Sequence, residues 1–363
     1  GPCGTLSLRQ TLLTRITIRA AMSPTILEDV RSEPAEANLA ACLYCASTDL
    51  APLYSGIRDR LGFVPGERTF LRCQSCGSAV LDPLPKSEAL PGFYPPVYSF
   101  TLELGGASRF KRWLSRLEYR YFFRPQYVSQ VRRVMRSCGW NRGDGKKLLD
   151  VGCGRGLRLL EFRRLGFDVH GLDVQPDVVR YLKEELQIPA ACADVSAMGQ
   201  FHAPESFNLI TAFQLIEHLP DAAGFVSAAA ALLRPGGWLV LANPLFDSVQ
   251  ARLFGRRWIN VTEAPRHVSL PTQAGLREIF QSAGLIPGPI LADSILNCAG
   301  LVGLSLVSSS NLTRAYAGGL RTLLSRGVGA AAALAAIPGC AFENYVLRRP
   351  PVGIAFAQKP GGG

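Results

Sequence analysis

No stretch of this chain holds the roughly 20 consecutive apolar residues that a membrane-spanning helix needs, because polar residues, Gly or Pro break the longest candidates. Integral insertion is therefore not expected. Histidine is scarce, four in 363 residues, so the search for a proton acceptor that titrates near neutrality is short. Acid is also short: 28 Asp and Glu face 39 Lys and Arg, for a formal charge of +11. That balance favours anionic neighbours, whether nucleic acid, an acidic membrane surface or a phosphorylated acceptor, without choosing among them. Internal repeats are absent. The opening 21 residues lack acids and do not begin with Met, which suits an appended or upstream-translated stretch or a weak targeting-like segment, with Met22 as a native start.

What is present bounds the class. A hydrophobic fraction of 48% and a charged fraction of 18% allow one large core with a smaller accessory unit and exclude disorder throughout. Of ten cysteines, four form two C-x-x-C pairs and six are scattered through core-like sequence, which argues for a reducing compartment and a cytoplasmic protein rather than a disulfide framework.

Five stretches follow from the patterning. Residues 1–40 form an extension expected to have little order. Residues 41–100 are rich in Pro and Gly, with short strands around Cys42, Cys45, Cys73 and Cys76. Residues 101–145 read as a basic amphipathic helical linker or cap. From Ser108 to Lys147 twelve basic residues face two acids, with Phe110, Trp113, Leu114, Leu117 and Tyr121 at helical spacing. Residues 146–293 alternate apolar strands with helices, the mark of a parallel sheet wrapped by helices. Strands are predicted at Lys147 to Val151, Asp168 to Leu172, Ala190 to Ala193, Asn208 to Phe213 and Trp238 to Ala242. Residues 294–363 are apolar and rich in small residues, with helices predicted at Leu296 to Val307 and Val328 to Ile337 and a final strand at Val352 to Gln358. The fold class expected is α/β, a Rossmann-like sheet with helices on both faces, plus a small N-terminal zinc-ribbon-like module.

The residues that carry chemistry begin with LLDVGCGRG, Leu148 to Gly156, a buried strand running into a glycine turn that opens a helix. Gly152, Gly154 and Gly156 remove side chains, so a ligand can approach backbone N–H groups at the helix start. Asp173 ends the next strand in GLDV, where a carboxylate can accept both hydroxyls of a ribose. Together they point to an adenosine-bearing cofactor. Dinucleotide dehydrogenases share this logic, so the pair alone leaves that alternative open.

The strings FNLITAFQLIEHLPD and LLRPGGWLVLANP resemble the fourth and fifth strand regions of class I S-adenosylmethionine-dependent methyltransferases, over about Lys146 to Leu285. That resemblance implies that Asp150 and the three glycines shape the pocket for the methionine part of the cofactor and that Asp173 binds ribose. It further implies that Asp194 in CADV faces the adenine amino group, that Val174 and Val195 flank the ring, and that Gln214 lies near the methionine moiety or the methyl group. Such an enzyme mainly aligns the acceptor with the methyl carbon and excludes water, and it needs a base only for a weakly acidic nucleophile. His267 in PRHVSL and His218 in EHL both lie on the loop side where an acceptor enters, so they are the catalytic candidates. A loop-fixing hydrogen bond is the alternative for His267, and support of the pocket, together with Glu217, the alternative for His218. His170 and His202 read as structural. Tyr94 and Tyr98 either bring a phenol to the site or pack between the two modules.

The second constellation is C-x2-C, then 27 residues, then C-x2-C, which places four thiolates for tetrahedral Zn²⁺ and staples a module too small for a strong core. Redox dithiols or chance pairing are the alternatives. With all four positions filled by protein the site reads as structural. The stretches RCQSCGSAVLDPLPKSEALPGFYPPVYSF and LFGRRWINVTEAPRHVSLPTQAGLREIFQSAGL extend the resemblance to zinc-ribbon class I methyltransferases of bacterial surface-glycan and natural-product pathways. The resemblance implies methyl transfer to a small-molecule, sugar or lipid-linked acceptor, most often at oxygen. The Ala- and Gly-rich apolar tail departs from that pattern and leaves the acceptor region open. Two alternatives remain: an RNA methyltransferase, against which no Asn-Pro-Pro-aromatic string follows the fourth strand, and a non-catalytic cofactor-binding scaffold. The basic helix and the tail either rest the protein peripherally on the inner membrane face or cap the cleft and complete the core or a dimer interface. Oligomeric state is not legible.

Overall fold

The structure, a computed structural model, describes residues 36–37, 39–94, 120–121, 124–307 and 320–362, with 36–37 and 320–326 described by backbone alone. In chain order the elements are β1 (Leu50–Ile57), β2 (Arg68–Cys73), β3 (Ala79–Asp82), α1 (Arg124–Ser137), β4 (Lys147–Val151), α2 (Leu157–Arg164), β5 (Asp168–Asp173) and α3 (Pro176–Glu184). They continue with β6 (Ala190–Cys192), β7 (Phe207–Phe213), α4 (Ala222–Leu232), β8 (Leu233–Pro244), α5 (Val249–Phe254), β9 (Ser269–Leu270) and α6 (Gln273–Ser282). The last four are β10 (Ile286–Ala292), α7 (Ile295–Leu306), α8 (Leu320–Ala341) and β11 (Val352–Gln358).

Seven strands form the central sheet in the order β10-β11-β8-β7-β4-β5-β6. β11 runs antiparallel to both its neighbours, and the pairs within β8-β7-β4-β5-β6 are parallel. Strands buried on both faces read as continuous apolar runs, and alternate residues in them feed two cores. Leu148, Leu209, Val240 and Phe356 pack with Val134, Leu159 and Leu182 from α1, α2 and α3. Leu149, Ile210, Leu239 and Ala355 pack with Val226 and Leu276 from α4 and α6 on the other face. Helices thus cover both faces, as the patterning predicts.

All five strands predicted in the 146–293 stretch form, and the final strand has the predicted bounds. β8 is longer, starting at Leu233. β10 was not predicted, because Pro287 and Pro289 argue against a ladder. It forms at the sheet edge, where a missing donor is tolerated, and its register slips between Pro287 and Ile290. α8 exceeds the predicted Val328 to Ile337 at both ends. Of the predicted basic helix, α1 is the described part; residues 101–119 and 122–123, with Phe110, Trp113, Leu114 and Leu117, lie outside the described residues, as do Tyr98 and residues 1–35.

The cysteine module is woven into the larger domain. Its sheet has the order β9-β3-β2-β1, so the outermost strand arrives from almost 190 positions downstream of β3. Tyr44, Cys42, Cys73, Cys76 and Val80 belong to the same buried cluster as α4 and α6. The Arg266 guanidinium, with no exposure, pairs with Asp59 at 2.6 Å across the junction. Glu36–Ala37 pairs antiparallel with Leu84–Pro85 as a separate two-stranded sheet.

Candidate functional site

The two C-x-x-C pairs are built alike. In one, Ala46 N–H donates to Cys42 O at 3.0 Å and Cys42 N–H to Ser47 O at 2.9 Å; in the other, Gly77 N–H donates to Cys73 O and Cys73 N–H to Ser78 O, both at 2.9 Å. Each turn ends on a residue with positive φ, Ala46 at 56° and Gly77 at 77°. Repeating that turn brings the four sulfurs together, all within 4.8 Å of one another. Cys42 Sγ and Cys76 Sγ stand 3.6 Å apart, and Cys45 Sγ and Cys73 Sγ 3.5 Å. A disulfide, at about 2.05 Å, does not connect either pair. A tetrahedron with metal–sulfur bonds of about 2.3 Å has edges of about 3.8 Å. The donor set therefore fits zinc. The thiol of Cys42 shares its proton with Cys76, whose pKa that contact draws down to about 5.

The glycine turn lies between β4 and α2. Gly152, Gly154 and Gly156 all have positive φ, at 66°, 49° and 66°, where side chains are strained. Two serve different ends: a Cβ on Gly156 would sit 2.4 Å from Leu182, whereas one on Gly154 would meet nothing within 4 Å. Gly156 permits close packing of α3, and Gly154 faces open space. Asp173, at the end of β5, is anchored there by Gly154 N–H at 2.9 Å and Gln175 N–H at 3.0 Å, one to each carboxylate oxygen. Each oxygen keeps a lone pair for a further donor. Burial raises its pKa, and the backbone donors oppose that rise.

Asp150 is fully buried, accepts from Thr211 Oγ1 at 2.6 Å, and has its pKa pushed up to about 6 by burial. That position makes it a brace between β4 and β7. Asp194 is exposed and accepts from Ser196 N–H through one oxygen at 2.9 Å. Val174, 52% exposed, and the partly buried Val195 follow Asp173 and Asp194 at the ends of adjacent strands. Gln214 is exposed just beyond β7 and holds φ at 55°, a conformation unusual for a residue with a side chain. Arg158 escaped the sequence reading. Its guanidinium stacks on Phe213 at 4.1 Å and Tyr127 at 5.0 Å, and its charge acts on Asp150. A lone Arg on a helix gives no sequence signal for such a position.

The structure brings His218 and His267 together, with ring centroids 4.7 Å apart. His218 Nδ1 lies 2.9 Å from Arg266 O and 2.9 Å from Tyr94 Oη, and His267 Nδ1 lies 2.9 Å from Asn260 O. A carbonyl can only accept, so both Nδ1 atoms carry hydrogen and both Nε2 atoms keep a lone pair. Burial lowers the pKa of His218 to about 3 and of His267 to about 4, with His267 further depressing His218. Both are neutral at pH 7. Glu217 completes the cluster: neither carboxyl oxygen has a hydrogen-bond partner among the described residues, and burial raises its pKa to about 8. Its main-chain carbonyl accepts from Val268 N–H at 2.8 Å, which ties the loop after β7 to the segment leading into β9. Tyr94 thus does bring a phenol to the histidines. His170 lies in β5 and stacks edge-on against Phe207, as does His202, away from this cluster.

The Glu217 environment has a measurable consequence. Its folded pKa lies above the ordinary 4.5, so the stability present at low pH is lost as pH rises from 4.5 through about 8. Glu217→Gln does not titrate, so its stability relative to the parent is expected to change little near pH 5 and to improve by several kcal/mol near pH 8. Denaturant unfolding across that range checks this; a difference independent of pH would contradict the shift.

Residues 119–286 match the family model described as a methyltransferase domain. The ubiquinone biosynthesis O-methyltransferase of Xanthomonas campestris pv. campestris (strain B100) is 35% identical over 104 residues, 27% of this chain and 43% of that protein. The protein of the same name from Thiobacillus denitrificans (strain ATCC 25259 / T1) is 36% identical over 103 residues, 27% of this chain and 44% of its own length. The match therefore spans less than half the length of these relatives. Among solved structures, a SAM dependent methyltransferase from Archaeoglobus fulgidus aligns with a TM-score of 0.45 and 18% identity over 68% of this chain and 100% of that one.

Proposed function

We propose that this chain, whose residues 119–286 carry a methyltransferase domain, is a class I S-adenosylmethionine-dependent methyltransferase acting on a small-molecule, sugar or lipid-linked acceptor, with oxygen the atom methylated. The observation that carries the reading is the join of the glycine turn to Asp173 through Gly154 N–H, within the stretch that matches the methyltransferase domain model. The names of the matched relatives support oxygen as the acceptor atom. Four cysteines hold a structural Zn²⁺ that fixes the module against the catalytic domain.

When bound, S-adenosylmethionine supplies a methyl group on a sulfonium, an electrophile that already carries its leaving group. Asp173 accepts from the ribose hydroxyls, and Asp194 uses its remaining oxygen for the adenine amino group. Val174 and Val195 present apolar faces to the ring. Gly152, Gly154 and Gln214 border the methionine part. On the acceptor side, His267 Nε2 takes the hydroxyl proton, because its Nδ1 hydrogen is committed to Asn260 O and fixes the tautomer. His218 and Tyr94 hold the neighbouring imidazole and phenol in register with it. The depressed pKa keeps the His267 imidazole neutral above about pH 4 and, by the same burial, makes it a weaker base than a free histidine.

His267→Ala is expected to lower kcat by about 10²–10⁴-fold while leaving cofactor affinity near its parental value. Turnover is followed with S-adenosylmethionine and a panel of phenols, sugars and lipid-linked sugars, and affinity by calorimetry. Unchanged turnover on an accepted substrate would reduce His267 to a loop anchor.

A further inference from the structure

The chain between the paired strands β10 and β11 carries a helical hairpin, α7 and α8, that the cofactor site does not use. α8 packs chiefly on α7 and the turn that follows it, not on the sheet. The two helices approach closely at Gly303 and Gly329, where a Cβ on Gly303 would fall 2.2 Å from Gly329 O. The hairpin is tied to the domain at both ends of α7 and just after α8: Gln250 Nε2–H donates to Cys298 O at 3.1 Å near the start of α7, Ile259 N–H to Ser305 Oγ at 3.0 Å near its end, and Gln250 N–H to Glu343 Oε1 at 3.0 Å just after α8. The hairpin is thus tied to the domain through α7 and still carries a surface of its own.

That surface is apolar where a free protein surface should be polar. Leu296, Val328, Leu334, Phe342, Tyr345 and Val346 are each more than half exposed. Isolated exposed apolar residues are ordinary, but a concentration of large ones on one helical pair marks a contact surface. Its charge selects the occupant. Among the described side chains of residues 294–349 the charged ones are Arg348, Arg349 and Glu343, and Glu343 is buried. Arg348 and Arg349 are exposed directly after the exposed Tyr345, Val346 and Leu347. Exposed aromatic and aliphatic side chains rimmed by arginine suit the boundary between headgroups and acyl chains of an anionic bilayer. A second copy would bring the same uncompensated positive charge against itself. No helix among the described residues is long and apolar enough to cross a membrane.

We infer that the α7–α8 hairpin docks this protein on an anionic lipid surface. α7 begins at the end of β10, and its base contacts α5, which follows β8, so the docked face lies beside the loops on the acceptor side. A lipid-linked acceptor would then be presented from the bilayer; that last step rests on the methyltransferase reading, whereas the docking stands on the hairpin.

The test is flotation of the full chain with vesicles of phosphatidylcholine alone and with about one third phosphatidylglycerol, at low and high salt. Binding is expected only to the anionic vesicles and is expected to weaken as salt screens it. Arg348→Glu with Arg349→Glu should weaken it at least about tenfold, from about 1 kcal/mol per basic residue near the surface. Tyr345→Ser with Val346→Ser should weaken it by a similar factor. Calorimetric binding of S-adenosylmethionine to each variant is expected to match the parent, which separates a failed docking surface from a misread cofactor site. Equal partitioning onto neutral and anionic vesicles, no partitioning, or a self-association lost in these same variants would overturn the inference.

Discussion

Asp173→Ala is expected to abolish S-adenosylmethionine binding, with affinity falling at least about a hundredfold. The carboxylate is held at the end of β5 by Gly154 N–H and Gln175 N–H, and in the proposed reading its remaining lone pairs accept from both ribose hydroxyls. Hydrogen bonds to a charged partner contribute about 1.5–3 kcal/mol each, so losing two costs about 3–6 kcal/mol, or two to four decades in affinity. The substitution also strips Gly154 N–H of its acceptor, loosening the turn that approaches the ligand. Asp173→Asn separates the effects: it keeps an acceptor for Gly154 but lacks the charge, and it should lose less. Unchanged calorimetric affinity in Asp173→Ala would remove the pocket assignment.

If the four cysteines hold zinc as proposed, Cys73→Ser is expected to yield a protein that loses the metal and unfolds or aggregates. Cys73 is fully buried at the end of β2, and its Sγ faces Cys45 Sγ at 3.5 Å. Structural zinc contributes on the order of 10 kcal/mol to folding, comparable with the whole stability of a typical domain. The loss should spread, because the module shares its core with α4 and α6 and its sheet is completed by β9. Metal analysis and a thermal melt on the same preparation check this, and prolonged chelation of the parent should reproduce it. A soluble, zinc-free and fully active variant would end the structural-zinc reading.

Local chemistry made much of this architecture readable. LLDVGCGRG could be placed because a buried strand, a turn needing positive φ and a helix start all impose short-range demands that few residues meet. Paired C-x-x-C spacing was readable for the same reason: each knuckle is a self-contained turn. β10 was hidden because Pro287 and Pro289 are poor strand residues in isolation, and only its place at the sheet edge makes them tolerable. β9 was hidden for a different reason. Ser269–Leu270 is too short for a periodic signal, and its partner β3 lies far upstream. The contact between His218 and His267 likewise depends on folding the β7 loop against the segment before β9, a relation no spacing encodes. Arg158 belongs to that class too, since its stacking on Phe213 and Tyr127 appears only once α1, α2 and β7 converge. Glu217 was legible as a residue, but not as a buried carboxyl without a hydrogen-bond partner, because burial is a property of the whole fold.

The central claim is that the glycine turn and Asp173 form a pocket for S-adenosylmethionine and not for another adenosine cofactor. Calorimetric titration of the purified chain with S-adenosylmethionine, S-adenosylhomocysteine and NAD tests it most directly. Saturable binding of the first two with no heat from NAD is the predicted result; binding of NAD with none of the other two would contradict the account and return the turn to a dehydrogenase.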